Sequence, residues 1–201
     1  MSPAHTWTWD GWLLTPLHTR RASRLAAYHA KNKDRLRPYS PQRSEAFFTA
    51  GFWRDAKRRA RRAWMSEIAY RWALCEGASR DACVIGFVAL DQIVRGVGQS
   101  AVLGYSIDGD FEGRGLMRQS VERVLDYAFN NLALNRIAAD HIPENDRSAA
   151  LLASLGFQRE GYARDYLKLD GVWRDHVLNA LLASEFRQTP HDAPLTREPE
   201  D

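Results

Sequence analysis

The chain has 201 residues, 45% of them hydrophobic, which is enough for one substantial core, with a single domain as the default. No apolar run approaches the roughly 20 residues that span a bilayer, and the start, with Trp7, Trp9, Asp10 and Trp12, lacks the basic-then-apolar pattern of a secretion signal. The expectation is a cytoplasmic protein without a membrane partner. The net charge of +3 hides an asymmetry: residues 1–65 carry 14 Lys or Arg against 4 Asp or Glu, and the remaining chain carries 14 against 21. Two cysteines, Cys75 and Cys83, are too few for a disulfide framework and sit in apolar, strand-like segments, so both read as buried thiols. No short-spaced cysteine or histidine pair suggests a metal site.

In chain order, residues 12–17 read as a first strand and 20–31 as a helix with Leu25, Ala26 and Tyr28 on its buried side. Pro38 and Pro41 break the pattern over 35–41. Residues 44–65 read as a long second helix with an apolar stripe of Phe48, Phe52, Ala56, Ala60 and Ala63. Arg54, Lys57, Arg58, Arg59, Arg61 and Arg62 crowd the rest of that helix. Such a face is either a solvated surface or a patch for a phosphate backbone or an acidic partner. Residues 68–75, 83–90 and 100–107 are three extended runs with short links, the pattern of an antiparallel meander.

The stretch Asp108-Gly109-Asp110-Phe111-Glu112-Gly113-Arg114-Gly115-Leu116-Met117 comes next, and Met117, Val121, Val124, Leu125, Ala128 and Phe129 then recur at helical spacing. A strand that empties through a glycine turn into a helix N-terminus leaves backbone N–H groups without intrahelical partners, which favours a phosphate. The same glycines also fit a plain turn. Residues 135–142 form a fourth extended run, ended by Pro143, and 145–155 a short helix that Asn145 can cap. Residues 157–169 and 173–182 are two final strands joined through Asp170-Gly171, a pair suited to a tight hairpin turn. Beyond Phe186 no core periodicity remains, so 187–201 reads as a disordered tail. The fold class is α+β: one domain over 1–186, a mostly antiparallel sheet of about seven strands flanked by about four helices.

This element order, with DFEGRGLM in the place of a pyrophosphate loop, resembles the GCN5-related N-acetyltransferase (GNAT) superfamily. The runs IVRG, LGYSI, GRGLM and IPENDRSAALLASLGFQREGYARDYLKLDGVWRDHVL resemble the bacterial RimJ-type ribosomal-protein alanine N-acetyltransferases. The resemblance implies acetyl-CoA as cosubstrate, no metal, and direct attack of an α-amine on the thioester, the acceptor being the N-terminal alanine of a ribosomal protein.

Site residues follow from the same resemblance. The superfamily loop is commonly Q/R-x-x-G-x-G/A; Gly113 and Gly115 fit it, while Asp110 occupies the Gln/Arg position. The implied cradle is Phe111, Glu112, Gly113, Arg114, Gly115, Leu116 and Met117, acting through backbone N–H groups, with the side chains of Asp110 and Glu112 expected to point away. The preceding strand is implied to splay from its neighbour at a bulge, so that Tyr105, Ser106 and Ile107 pair with the pantetheine arm and aim an N–H at the thioester oxygen. Asn145 is implied to contact that arm and Ser148 to protonate the departing thiolate; as a pair three residues apart at a helix start they also fit a cap and an ordinary first-turn residue.

Asp175 is the first candidate for the general base and Tyr166 for a substrate contact. Asp175 also fits an ion pair with Arg174 or a strand-end hydrogen bond, and His176 reads as structural. An α-amine, with a pKa of about 7.7 to 8.0, is partly neutral at pH 7 and asks little of its base. Neither cysteine has a neighbour that would activate it, which argues against a covalent acyl-enzyme. Two other readings stay open: acetylation of a small amine such as an antibiotic or polyamine, and a ribosome-binding or assembly role in which the basic helix 54–62 meets ribosomal RNA.

Overall fold

The computed structural model describes residues 5–188. Strands β1 (Trp7–Trp9) and β2 (Trp12–Pro16) form a hairpin whose turn residues Asp10 and Gly11 both have positive φ, 45° and 82°. That backbone matches the twist of the flanking strands. β1 is absent from the sequence reading because three residues are too few to show a period. A 3-10 turn at Leu17–Thr19 leads into α1 (Ala22–Lys31) and the single-turn α2 (Lys33–Leu36), where the chain had been expected to be irregular.

Helix α3 (Ala50–Met65) begins later than expected. Thr49 is extended, with φ −102° and ψ 150°, and its hydroxyl accepts the Phe52 N–H at 3.3 Å, so it caps α3 and cuts it off from a 3-10 turn at Glu45–Phe48. The buried face of α3 is therefore Trp53, Ala60 and Trp64, and Phe48 is not part of it.

The meander appears as β3 (Tyr70–Glu76), β4 (Cys83–Val94) and β5 (Ser100–Ile107). Then come α4 (Leu116–Asp126), a π turn at Tyr127–Asn131, β6 (Arg136–Ala138) and α5 (Asp146–Ser154). β7 (Gln158–Leu169), β8 (Val172–Leu182) and α6 (Ala183–Gln188) complete the described chain. α6 runs two residues past the expected end of the domain, and the rest of the expected tail lies outside the described residues. The eight strands form one sheet in the order β1-β2-β3-β4-β5-β6-β8-β7, antiparallel except at β5–β6. The α+β class holds, with one strand and two short helices more than expected. No described helix is long and apolar enough to cross a membrane.

Alternation along β3 sends Tyr70, Trp72 and Leu74 to one face of the sheet and Ala73 and Cys75 to the other. The first face is covered by Val121, Val124 and Leu125 of α4, the second by Leu25 and Tyr28 of α1 with Trp53 and Ala60 of α3. Each large apolar side chain buried in this way contributes roughly 1.5–3 kcal/mol. Cys75 is buried, but Cys83 is exposed, because it opens β4 opposite Glu76 at the end of the sheet. Only one of the two thiols is thus a core group.

Candidate active site

The site begins where two neighbouring strands part. β5 and β6 pair in parallel over Ser100–Val102 and Arg136–Ala138 only. Beyond that, the chain after β6 turns to β8, with Ala139 N–H donating to Asn179 O at 2.9 Å and His141 bridging Val177. β5 stays on β4 through Ile107. The side of β5 facing away from β4 over residues 103–107 therefore lacks a strand partner. The expected splay is present without a local bulge, since the irregularity between β4 and β5 lies at Asp91/Val94, at the other end. A cavity of about 210 Å³ fills the opening, with Leu103, Gly104 and Tyr105 on one wall, Asp140 and His141 on the other, and Ser148 beside them.

At the far end of β5, Gly113 and Gly115 take φ of 73° and 72°, and Gly115 stands immediately before the first residue of α4. In this left-handed conformation a Cβ is costly, which is why glycine serves here. The turn directs the first-turn N–H groups of α4, from Leu116 onward, out of the helix start, while the Leu116 and Met117 side chains anchor that start in the core. Phe111 packs edge-on against Trp12 at 5.9 Å, and Arg114 lies over the Phe111 ring at 4.9 Å.

The two acidic side chains of the loop do not simply face solvent. Asp110 pairs with Lys31 at 2.6 Å, and Glu112 pairs with Arg35 at 2.7 Å and Arg147 at 2.6 Å. Arg35 also donates to Asn32 Oδ1 and to the Ile107 carbonyl, so α2 clasps the turn from behind. Two guanidinium groups against one carboxylate leave the loop electropositive, so Glu112 does not oppose a bound phosphate.

Asn145 caps α5, its Oδ1 accepting the Ser148 N–H at 3.2 Å. The Ser148 hydroxyl in turn lies 2.6 Å from the Tyr105 hydroxyl. Burial pushes the Tyr105 phenol up to about 12, so it stays protonated at neutral pH. With Tyr105 donating, the Ser148 proton is left for a third group. Ser106 is turned towards α1, where its hydroxyl accepts from Tyr28 OH at 2.9 Å.

The carboxylate in this cavity is Asp140, which sequence reasoning did not single out. Burial raises its pKa above the ordinary carboxylate value, against the opposing effects of the Asn179 N–H, His176, Tyr166 and His141. The one signal for it was an acid inside the otherwise apolar run Ile137-Ala138-Ala139-Asp140. Tyr166 stands beside it, its ring 5.4 Å from that of His176, and His176 is buried while lining the same cavity. Asp175 is not brought there. Alternation along β8 puts it on the opposite face from His176, where it accepts from Tyr162 OH at 2.7 Å and Asp165 N–H at 2.8 Å. Those bonds, that from Asp165 foremost, hold its pKa below the usual range, and Arg174 pairs with Glu144 instead.

A second cavity of about 540 Å³ opens on the α1–α2 side and shares Tyr39, Gly104 and Tyr105 with the first, so the two are parts of one cleft. The β7–β8 turn closes its rim, with Asp170 N–H donating to Ser40 O at 2.8 Å and Asp170 pairing with Arg37 at 3.2 Å.

A splayed parallel pair leading to a glycine turn at a helix start is the geometry of an acyl-CoA site, and residues 12–158 match the family described as acetyltransferase (GNAT) domain. The chain belongs to this family. It is 36% identical over 184 residues to the ribosomal protein uS5 alanine N-acetyltransferase of Escherichia coli, across 89% of this chain and 91% of that protein. The ribosomal-protein-S5-alanine acetyltransferase from Vibrio fischeri superposes with a TM-score of 0.85 at 30% identity, covering 90% of this chain and 98% of that one. Mycobacterium smegmatis RimJ in complex with CoA-disulfide superposes with a TM-score of 0.80 at 27% identity, covering 89% and 85%. As a GNAT domain, the protein is an acyltransferase that uses acetyl-CoA. Its own residues fit that cosubstrate: the unpaired side of β5, the glycine turn and the electropositive surround of Glu112 line up along one path.

Proposed function

We propose that this GNAT domain acetylates the N-terminal α-amine of a ribosomal protein, with alanine as the first residue. The observation that carries the reading is one cavity holding both a carboxylate of raised pKa, Asp140, and a hydroxyl pair, Tyr105 and Ser148. The names of the E. coli and Vibrio relatives support the choice of acceptor. A ribosomal acceptor places the reaction in the cytoplasm.

Acetyl-CoA supplies the acetyl group as a thioester open to attack by an amine. Backbone N–H groups from Phe111 to Met117 hold the pyrophosphate, and the free side of β5 at Tyr105, Ser106 and Ile107 holds the arm, with the Asn145 amide beside it. Asp140 takes the proton from the incoming ammonium. A carboxylate whose pKa is moved towards the working pH is a better base than Asp175, whose pKa is moved the other way. Tyr166 orients Asp140 and borders the acceptor. Ser148, with Tyr105 donating to it, gives its proton to the departing sulfur and takes back the second proton that the nitrogen sheds as the amide forms.

Mass spectrometry of ribosomal-protein N-termini from cells with and without the gene tests the acceptor: one N-terminal alanine should lose its acetyl group in the deletion, and an unchanged pattern would refute the assignment. Turnover of an alanine-starting peptide against a polyamine or an aminoglycoside separates it from the small-amine alternative.

A second reading concerns docking. Arg54, Arg58, Arg59, Arg61 and Arg62 of α3 are exposed, and among the described residues only Arg58 of the five has a carboxylate partner, Asp55. Lys57 has its pKa lowered by burial and then by Arg80 and Arg20, so more cations gather beside the helix. Such a surface suits ribosomal RNA. Neutralising Lys57, Arg58, Arg59, Arg61 and Arg62 together should abolish ribosome association, while substitutions at Gly113 and Gly115 should leave it intact.

A further inference from the structure

The mouth of the acceptor cleft carries a charge that no carboxylate among the described residues balances. Three cations line it, and two of them are answered: Lys33 pairs with Glu45 at 2.7 Å and Arg37 with Asp170 at 3.2 Å. Arg43 has no carboxylate within ion-pair range among the described residues. Its guanidinium lies over the Phe47 ring, 4.5 Å from the centroid. That ring is itself held against His29 at 4.8 Å and Trp53 at 5.4 Å, and His29 stacks between Trp53 and Phe87. Burial drives the His29 pKa down to about 3, so the stack brings no charge of its own. Arg43 is thus a cation on a rigid aromatic platform, with Arg71 close enough to lower its pKa further after desolvation. A planar guanidinium fixed on one face by a ring keeps its edge N–H groups for a bidentate acceptor.

The cleft also has a direction. Asp140 lies at its inner end and Arg43 at its outer end, with Gly104 and Tyr105 of β5 common to both parts. A chain whose α-amine reaches Asp140 and which leaves through the larger part of the cleft passes Arg43. Resting on the N-terminal reading above, we propose that Arg43 is a specificity residue that binds the carboxylate of an acidic side chain within the first few residues of the acceptor polypeptide. The same uncompensated charge works against a polyamine, which would bring further cations to this mouth.

The test uses the full-length protein, acetyl-CoA and alanine-starting peptides with a single Glu, Gln or Lys at the second, third or fourth residue. At one of these positions the Glu peptide should exceed its Gln counterpart about tenfold in kcat/KM, the size expected of a charge-assisted hydrogen bond. Arg43→Glu should reverse the preference to the Lys peptide, and Arg43→Lys should retain part of it. The readout is a ratio between peptides within one variant, so general loss of folding or of acetyl-CoA binding cancels. Equal kcat/KM for Glu and Gln at every position would overturn this proposal alone. No turnover of any alanine-starting peptide would overturn the N-terminal reading beneath it as well.

Discussion

At the scale of single residues, the site separates groups that act through backbone from groups that act through protons. Gly115 belongs to the first kind. An added Cβ meets nothing nearer than Gln119 Nε2 at 3.9 Å, so the obstacle to Gly115→Ala is conformation rather than space. Holding alanine at φ 72° costs about 1–2 kcal/mol. The chain can shed that cost only by turning the α4 N–H groups away, so CoA affinity measured by calorimetry should fall about tenfold or more. Ser148 is of the second kind: Ser148→Ala should lower kcat about a hundredfold while leaving the KM for acetyl-CoA near its starting value. Unchanged turnover would remove Ser148 from proton transfer.

Asp140 allows a test with opposite signs. Its folded pKa is raised, so its contribution to stability is complete below the ordinary value of 3.8 and is lost as pH rises through the raised one. At neutral pH the ionised, partly buried carboxylate is therefore a cost to the fold. Asp140→Asn relieves it and keeps an oxygen for the Asn179 N–H, which donates to Asp140 Oδ1 at 3.2 Å. The variant should melt higher at neutral pH, by about 2–4 °C for each kcal/mol relieved, yet lose at least about a hundredfold in kcat/KM. The gain in Tm should vanish below the ordinary carboxylate range, where both forms are neutral.

At the scale of elements, α2 matters more than its length suggests. Its Arg35 joins Asn32, Glu112 and the Ile107 carbonyl, and so ties the acceptor side of the cleft to the coenzyme loop. Arg35→Ala leaves Glu112 with Arg147 alone and removes one of the two guanidinium groups paired with that carboxylate. CoA affinity should drop about tenfold, and Glu112→Gln in the same background should restore part of it, because Arg147 is then no longer neutralised by a carboxylate. This clasp was not legible in the sequence, where residues 35–41 read only as a break. What was legible came from local signals: a glycine turn between a strand and a helix, Asn145 before α5, and Asp170-Gly171 between β7 and β8. Each is a matter of backbone conformation within a few residues. Asp140 reaches the cavity only because β6 pairs with β8, across some forty residues of chain, and no spacing announces that. The late start of α3 is an intermediate case, since Thr49 was a visible capping residue inside a longer periodic stretch.

At the scale of the whole molecule, the sheet is two blocks, β1–β5 and β6–β8, joined at a parallel seam only three residue pairs long. A ligand that lies along the opened part of that seam binds the folded state alone and stabilises both blocks together. CoA at about a hundred times its Kd should contribute about 2.7 kcal/mol, or roughly 5–10 °C in Tm for a chain of this size. A shift confined to probes in one block would show that the blocks melt separately.

The stretch of β5 from residue 103 to 107 is a sheet edge set in a cleft, with Leu103 buried, Gly104 exposed and the rest half-buried. Free edges are where sheets recruit foreign strands, and proteins usually blunt them with charge, proline or a short length. This one, Leu103-Gly104-Tyr105-Ser106-Ile107, has none of those protections. What shields it is its surroundings: α5 and the β7–β8 hairpin flank the opening. The coenzyme is then a guard as well as a reagent. Preparations stripped of CoA should aggregate faster on mild warming than loaded ones, because loosening of the hairpin exposes an unpaired strand that the bound coenzyme would otherwise cover.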